Sequence, residues 1–363
     1  INVLLNAGSR KFLSSIPSKR VLRYPKKSPT GSARTFAQLF KVLDLAHEAT
    51  DIYYRDVSLF GKQRVVDSLV DDLAATFELD RSDLNIRSSS KGVVCGSGLT
   101  ITLLSGEMIQ CKDAEGTLIP AGEDVESFSI DDDVAWVLVI EKEAVFQTLC
   151  RLQMCKNRSL PGSGIIITGK GYPDVATRHL VKSLADALPR RIPIMGLVDS
   201  DPYGLDILSV YKYGSQKLQH ENDKLAAGRI RWLGIWASEL ESLNIGKDFL
   251  LPITTHDEKK ALSILRRQNF PLPRKWKKEL QYMLHSRRKA EIEIVTGGHD
   301  ISRPTNDGDI IQERNVNKKD QGGDNPEPFL LQKTCNAHGL FIQYLTTKIT
   351  NYVISASESR TEY

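Results

Sequence analysis

Three carboxylates stand at the ends of two apolar runs. Glu141 closes "VAWVLVIE", and Asp199 and Asp201 lie one residue apart at the end of "IPIMGLVDSD". A hard cation such as Mg²⁺ prefers carboxylate oxygens and keeps several waters. Residues two apart on an extended segment face the same way, so Glu141, Asp199 and Asp201 form one candidate cradle. The other reading is a polar turn that ends a buried strand, where Asp is common. Spacing alone leaves both open. Two look-alikes do not fit. The D-x-D-x-x-G stretch from Asp199 has Tyr203 and Val210 where an EF-hand needs its fifth and twelfth ligands. "GIIITGKG" from Gly164 has P-loop spacing, but Gly171 replaces Ser/Thr and the middle is an apolar strand.

Two stretches have the makings of phosphate contacts. "TGKGYPDVATR" is a Gly-rich turn opening a helix, which presents backbone N–H groups beside Lys170 and Arg178. "LRRQNFPLPRKWKKELQYMLHSRRK" groups Arg274, Lys275, Lys277 and Lys278 with further basic residues, interleaved with Trp276 and Tyr282. That pattern suits DNA phosphates. The competing readings are an ordinary β–α turn and a solvated helix face.

These residues must be held by larger elements. From Glu141 onward, "KEAVFQTLCRLQMC", "PDVATRHLVKSLADAL" and "GLDILSVYKYGS" read as helices between the strands "VAWVLVIE", "GIIITG", "IPIMGLVD" and "IRWLGIW". Continuous apolar strands alternating with helices predict a parallel sheet covered on both faces. Sites in such sheets form at the carboxyl ends of strands. Upstream, "TFAQLFKVLDLAHEA" carries Phe36, Leu39, Val42, Leu43 and Ala46 at helical spacing, and "KQRVVDSLVDDLAATFEL" does the same with Val66, Leu69, Val70, Leu73 and Phe77. Between them lies "TDIYYRDVSLFG", with Thr50 able to cap a turn. "GVVCGSGLTITLLSGEMIQC" changes to period two. Helices followed by a β-hairpin predict a winged helix-turn-helix, a DNA-docking scaffold.

The 363 residues allow two domains, and the net charge of +4 is mild. The first forty residues hold eight Lys or Arg and no Asp or Glu. This fits a transit peptide or a flexible basic arm, and with Ile as the first residue the native start is expected upstream. Five scattered cysteines without a CxxC pair predict neither a zinc site nor a disulfide framework, and Cys150 and Cys155 suit one helix. No apolar run is long enough to span a bilayer. Residues 296–334 are rich in Gly, Asn and Asp, and read as a disordered insertion before a closing amphipathic segment, "HGLFIQYLTTKITNYVI".

Taken together, "DIYYRDVSLFGKQ", "VIEKEAVF", "GKGYPDVATR" and "LVDSDPYGLDI" stand in the order and roughly the spacing of one family. The chain resembles the A subunit of topoisomerase VI and its eukaryotic relative, the meiotic double-strand-break transesterase, from "FAQLFKVLDL" to "KAEIE". The resemblance implies an α/β and α+β multidomain chain, with a CAP-like winged-helix domain at 32–112 after a basic arm at 1–31. A linker at 113–127 and a Toprim parallel α/β domain at 128–363 would follow. It implies Tyr54 as the nucleophile on DNA, and Glu141, Asp199 and Asp201 as ligands of Mg²⁺. It further implies a homodimer on double-stranded DNA with an ATPase B-type subunit, in the nucleus on chromosomes. Thr50 stands where the family has arginine, which leaves a DNA-binding subunit without catalysis as the alternative. A Toprim nuclease using water comes third.

Overall fold

The computed structural model describes residues 2–6, 19–23, 32–46, 52–77, 79, 84, 86, 90–215, 221–243, 245–267, 272–295 and 328–358. Within the basic arm, β1 (Asn2–Asn6) and β2 (Lys19–Arg23) pair antiparallel, so that part of 1–31 is a hairpin. Helices α1 (Ser32–Ala46), α2 (Ile52–Arg55), α3 (Val57–Phe60) and α4 (Gln63–Phe77) build the amino-terminal domain. Its core is Phe36, Leu39, Val42 and Leu45 of α1 against Val66, Leu69, Val70 and Leu73 of α4, with Ile52 and Phe60 between them. The stripe differs from expectation at its ends. Leu45 is buried where Leu43 was expected, and Phe77 is exposed. The buried residues of α1 recur at steps of three, from Phe36 through Leu39 and Val42 to Leu45, and Leu43, about 100° on from Val42, turns to the solvent edge. Thr50 lies outside the described residues.

The second domain is built on a six-stranded sheet. In chain order its strands are β3 (Val93–Cys95), β6 (Thr117–Leu118), β8 (Val134–Ile140), β9 (Ser163–Thr168), β10 (Ile194–Leu197) and β11 (Arg231–Gly234). Their spatial order is β11-β10-β8-β9-β3-β6. The four long strands run parallel as expected, and β3 and β6 add antiparallel edges. A small antiparallel sheet of β4 (Leu99–Leu103), β5 (Met108–Gln110) and β7 (Val125–Ile130) sits beside it.

This pairing relocates the hairpin read as a wing. Val94, Leu99, Ile101 and Cys111 share one apolar core with Val137, Ile165 and Ile194 of the parallel sheet. The expected boundary at 112 and the linker at 113–127 therefore fall inside the second domain's framework. Asp113 accepts from Ser97 N–H at 2.8 Å and pairs with Lys156 at 2.8 Å. Period-two patterning reveals a buried face but not which core receives it.

Alternation along β8 divides the covering helices. Val137 and Val139 face α6 (Val175–Ala187) and α7 (Pro202–Tyr213), whereas Trp136, Leu138 and Ile140 face α5 (Glu143–Arg151). Cys155 lies in a separate 3-10 turn after left-handed Gln153, not in the helix of Cys150. Beyond α8 (Asn222–Leu225) come β12 (Leu251–Pro252), α9 (Thr255–Leu265), α10 (Arg274–Ser286) and β13 (Arg288–Lys289). Helix α11 (Pro328–Glu358) packs Phe341, Leu345 and Ile349 on the α5 face. It begins inside the segment read as disordered, so residues 328–334 are helical; residues 296–327 lie outside the described residues. Among the described residues no helix is long and apolar enough to cross a membrane.

Candidate active site

Strand register levels the site. Ile140 of β8 is paired with Thr168 of β9 and with Leu197 of β10. The residues that follow, Glu141, Gly169 and Val198, thus leave the sheet together at its carboxyl edge. Asp199 N–H donates to Glu141 Oε2 at 2.9 Å, and Gly171 N–H donates to Glu141 O at 2.9 Å. Asp201 caps α7, its Oδ1 accepting from Gly204 N–H at 2.7 Å, with Pro202 in the first turn. A Cβ on Gly204 would lie 2.4 Å from Asp199 O and 3.1 Å from Glu141 Oε2, so glycine permits the close approach of α7. One oxygen of Asp201 thus serves the turn, and the second, Oδ2, lies 4.0 Å from Lys289 Nζ.

The electrostatics show what the three acids lack. Burial, then the neighbouring Asp199 and Asp201 charges, pushes the Glu141 carboxyl well above the usual range. Burial also raises Asp199, reinforced by Asp201 and Glu293 and opposed by the Ile292 N–H and Lys142. Asp201 is raised by burial against its capping bonds. Among the described residues, no three Asp, Glu, His or Cys side chains form a ready-made metal cage. The donor set nevertheless suits a hard cation: Asp199 is buried and Glu141 and Asp201 half-buried, the Asp199 and Asp201 charges raise Glu141 and Asp201 raises Asp199, and a cation would relieve that repulsion.

Sequence reading missed the segment that completes this edge. Ser200 and Ala290 form an antiparallel bridge. It delivers Ile292 N–H to Asp199 Oδ1 at 2.8 Å. It also brings Glu291 and Glu293 to Lys142, whose ammonium lies 3.5 Å from Asp199 Oδ2. Lys289 Nζ stands 4.0 Å from Asp201 Oδ2 and 3.0 Å from Asp257 Oδ2. The "KAEIE" stretch was visible as a motif but carried no spacing that tied it to the aspartates.

Tyr54 is 70% exposed on α2 and its ring meets that of Tyr53 edge-on at 5.1 Å. Tyr53 packs against the domain core. Arg34 and Gln38 of α1 hold the next helix from behind. Arg34 donates to Ser58 O at 2.7 Å and Leu59 O at 3.0 Å, and Gln38 to Leu59 O at 2.8 Å. Among the described residues, no hydrogen bond joins Tyr54 to Glu141, Asp199 or Asp201.

The basic residues divide. Lys170 lies in the turn beside Glu141, with φ of 52° followed by Gly171 at 86°, and its ammonium pairs with Glu143 at 2.8 Å. Arg274, Lys275, Lys277 and Lys278 are exposed on α10, and Lys275 also lies over the Trp236 ring. Three cations in the first turn oppose the helix dipole, so local helix stability does not account for them. Arg178 departs from expectation. It is 2% exposed, its Nη2 donates to Asn222 Oδ1 at 3.4 Å, and burial lowers its pKa to about 10 against the pull of Glu221. Its position on α6 points inward, so it is not a surface phosphate contact.

Comparison with known proteins agrees with this division of the chain. Residues 136–302 match the Toprim domain of the family formed by the A subunit of topoisomerase 6 and Spo11. Residues 34–86 match "Type IIB DNA topoisomerase" and end before β3. The chain is 40% identical over 294 residues to "Meiotic recombination protein SPO11" of Mus musculus, covering 78% of this chain and 72% of that protein. It is 38% identical over 286 residues to "Meiotic recombination protein rec12" of Schizosaccharomyces pombe, covering 76% of each. It is 35% identical over 248 residues to the A subunit of DNA topoisomerase 6 of Arabidopsis thaliana, covering 68% of this chain and 56% of that protein.

Proposed function

The chain belongs to the family of Spo11 and the topoisomerase 6 A subunit, and within it we propose a DNA transesterase that makes double-strand breaks in meiotic recombination, with Tyr54 as nucleophile. The observation that carries this reading is the presence of two complementary half-sites on separate domains. One is an exposed phenol on α2, whose neighbour Tyr53 packs on the domain core, and the other is a largely buried acid cluster at the sheet edge.

In the reaction Tyr54 Oη attacks a DNA phosphorus. A bond forms from that oxygen to phosphorus, giving a 5′-phosphotyrosine, and the bond from phosphorus to the 3′ oxygen breaks. The 3′ oxygen leaves as a hydroxyl, taking the proton that the phenol releases. One phosphodiester replaces another, so no ATP is consumed at the bond. Phenols ionise near about pH 10, so proton loss needs assistance. Mg²⁺ bound by Glu141, Asp199 and Asp201 would neutralise charge on the phosphoryl oxygens and the leaving oxygen. Glu141 and Asp199 are held for that role by the Asp199 and Ile292 N–H groups. Lys170 and the exposed cations of α10 would bind backbone phosphates.

The reading includes a homodimer in which each tyrosine serves the partner's cluster. A nuclear, chromosomal setting and an ATPase B-type subunit complete the reading. The test is trapping of a covalent protein–DNA adduct from the dimer, the B-type subunit, duplex DNA and Mg²⁺. Equal adduct from Tyr54→Phe would sink the mechanism. Thr50 in the arginine position supports a second reading, a DNA-binding subunit without catalysis. That reading expects salt-dependent duplex binding and no adduct under any of these conditions. A water-using nuclease would instead leave free 5′-phosphate ends and be indifferent to Tyr54.

A further inference from the structure

Three carboxylates outside the capping arrangement converge on one ammonium group. Lys142 Nζ lies 2.7 Å from Glu293 Oε2, 3.0 Å from Glu291 Oε2 and 3.5 Å from Asp199 Oδ2. An ammonium has three donors, and three acceptors meet it. The Lys142 side chain is 26% exposed and Asp199 10%, whereas Glu291 and Glu293 reach in from the rim at 56% and 42%, so the ammonium sits at the mouth of the cluster with its inner side on Asp199. The group is also confined at both ends. Its backbone follows Glu141 at the end of β8 and is the N-cap of α5. The two glutamates are anchored through the Ser200–Ala290 bridge and the Ile292 bond to Asp199. Without the ammonium, three carboxylates would share a small space rich in hard oxygen donors, which is the setting that takes a divalent ion.

We propose that Lys142 is a built-in cation of the site: its ammonium fills the point on which Asp199, Glu291 and Glu293 converge, so that each chain takes one divalent ion, at Glu141, Asp199 and Asp201, and no second. This rests on the reading of those three acids as a metal site. Lys142 is then a positioning residue that also sets metal stoichiometry. It pairs with Asp199 Oδ2 while Ile292 N–H holds Oδ1, so both oxygens of that carboxylate are fixed.

The experiment counts Mn²⁺ bound per purified chain, without DNA, from the loss of the free-ion electron paramagnetic resonance signal. One ion is expected for the unsubstituted chain and for Lys142→Arg, which keeps the charge. Two are expected for Lys142→Met and Lys142→Gln, with far-ultraviolet circular dichroism confirming that at least one of the pair is folded. The second ion should disappear again when Glu291→Gln and Glu293→Gln are added. Two ions in the unsubstituted chain, or one ion in a folded neutral variant, would overturn the proposal while leaving the metal reading intact. No ion in the unsubstituted chain, with Glu141→Gln indistinguishable from it, would overturn the metal reading and the proposal together.

Discussion

Ser200 and Ala290 exchange two backbone hydrogen bonds, Ser200 N–H to Ala290 O at 2.9 Å and Ala290 N–H to Ser200 O at 3.2 Å. This short bridge lies between the two aspartates of the site and the two glutamates that face Lys142. It converts a distant segment of the chain into one wall of the acid cluster.

Ala290→Pro removes one donor of that bridge and leaves a buried carbonyl unmet. We expect a loss of about 1–3 kcal/mol in urea unfolding. Amide exchange at Ile292 should quicken more than exchange in β8, because the damage is local to the docked segment.

Divalent ions should stabilise the folded chain, because they bind the assembled carboxylates and not the unfolded chain. At a hundredfold excess over the dissociation constant the gain is about 2.7 kcal/mol. A chelator should reverse the rise in Tm. Glu141→Gln should show little of it, since one of the three oxygen donors loses its charge.

Asp174 makes the amino-terminal cap of α6 and accepts Lys91 N–H at 2.6 Å and Gly92 N–H at 3.2 Å. Burial alone would raise its carboxyl, but the hydrogen bonds from Thr177, Lys91 and Gly92 outweigh it and hold the pKa below the ordinary value. A depressed folded pKa means that its stabilisation is complete above about pH 4 and is lost as pH falls through the folded value. Asp174→Asn keeps a capping oxygen but replaces the acceptor of the Lys91 and Gly92 N–H groups with an amide nitrogen, so it should lower stability at neutral pH by about 1–3 kcal/mol and flatten the acid limb of a pH–stability curve.

Arg178 and the α10 cations should separate in two measurements. Arg178→Ala removes the buried cation facing Glu221 and should cost about 3 kcal/mol of stability, with little change in the salt dependence of DNA binding. The double variant Lys277→Ala, Lys278→Ala should leave Tm nearly unchanged and reduce the slope of log affinity against log salt by about 1 for each phosphate no longer neutralised.

Local pattern carried much of the architecture. The four parallel strands appear where continuous apolar runs predicted them, because a strand buried on both faces writes its burial into its own residues. The three acids were legible for the same reason: they follow those strands directly, so chain position alone puts them at the carboxyl edge. Tyr54 was legible only through its motif, since an exposed tyrosine on a four-residue helix has no periodic signature. Arg178 misled because it sits in a Gly-rich, phosphate-like turn motif, and nothing in the local pattern says that its helix face turns toward Glu221 and Asn222.

The sequence by itself determined the order of the blocks and the two hydrophobic periods, and it singled out Tyr54, Glu141, Asp199 and Asp201 as candidates, all from local properties of the chain. Only the tertiary structure decided the rest. It placed Val93–Cys95 as an antiparallel neighbour of Ser163–Thr168, turned Arg178 inward, and brought Ala290 to Ser200 so that Lys142 meets Glu291 and Glu293. Each of these depends on pairing between segments remote in sequence. A strand's or side chain's choice of partner is set by what the whole fold buries, and its own neighbours in the chain do not encode it.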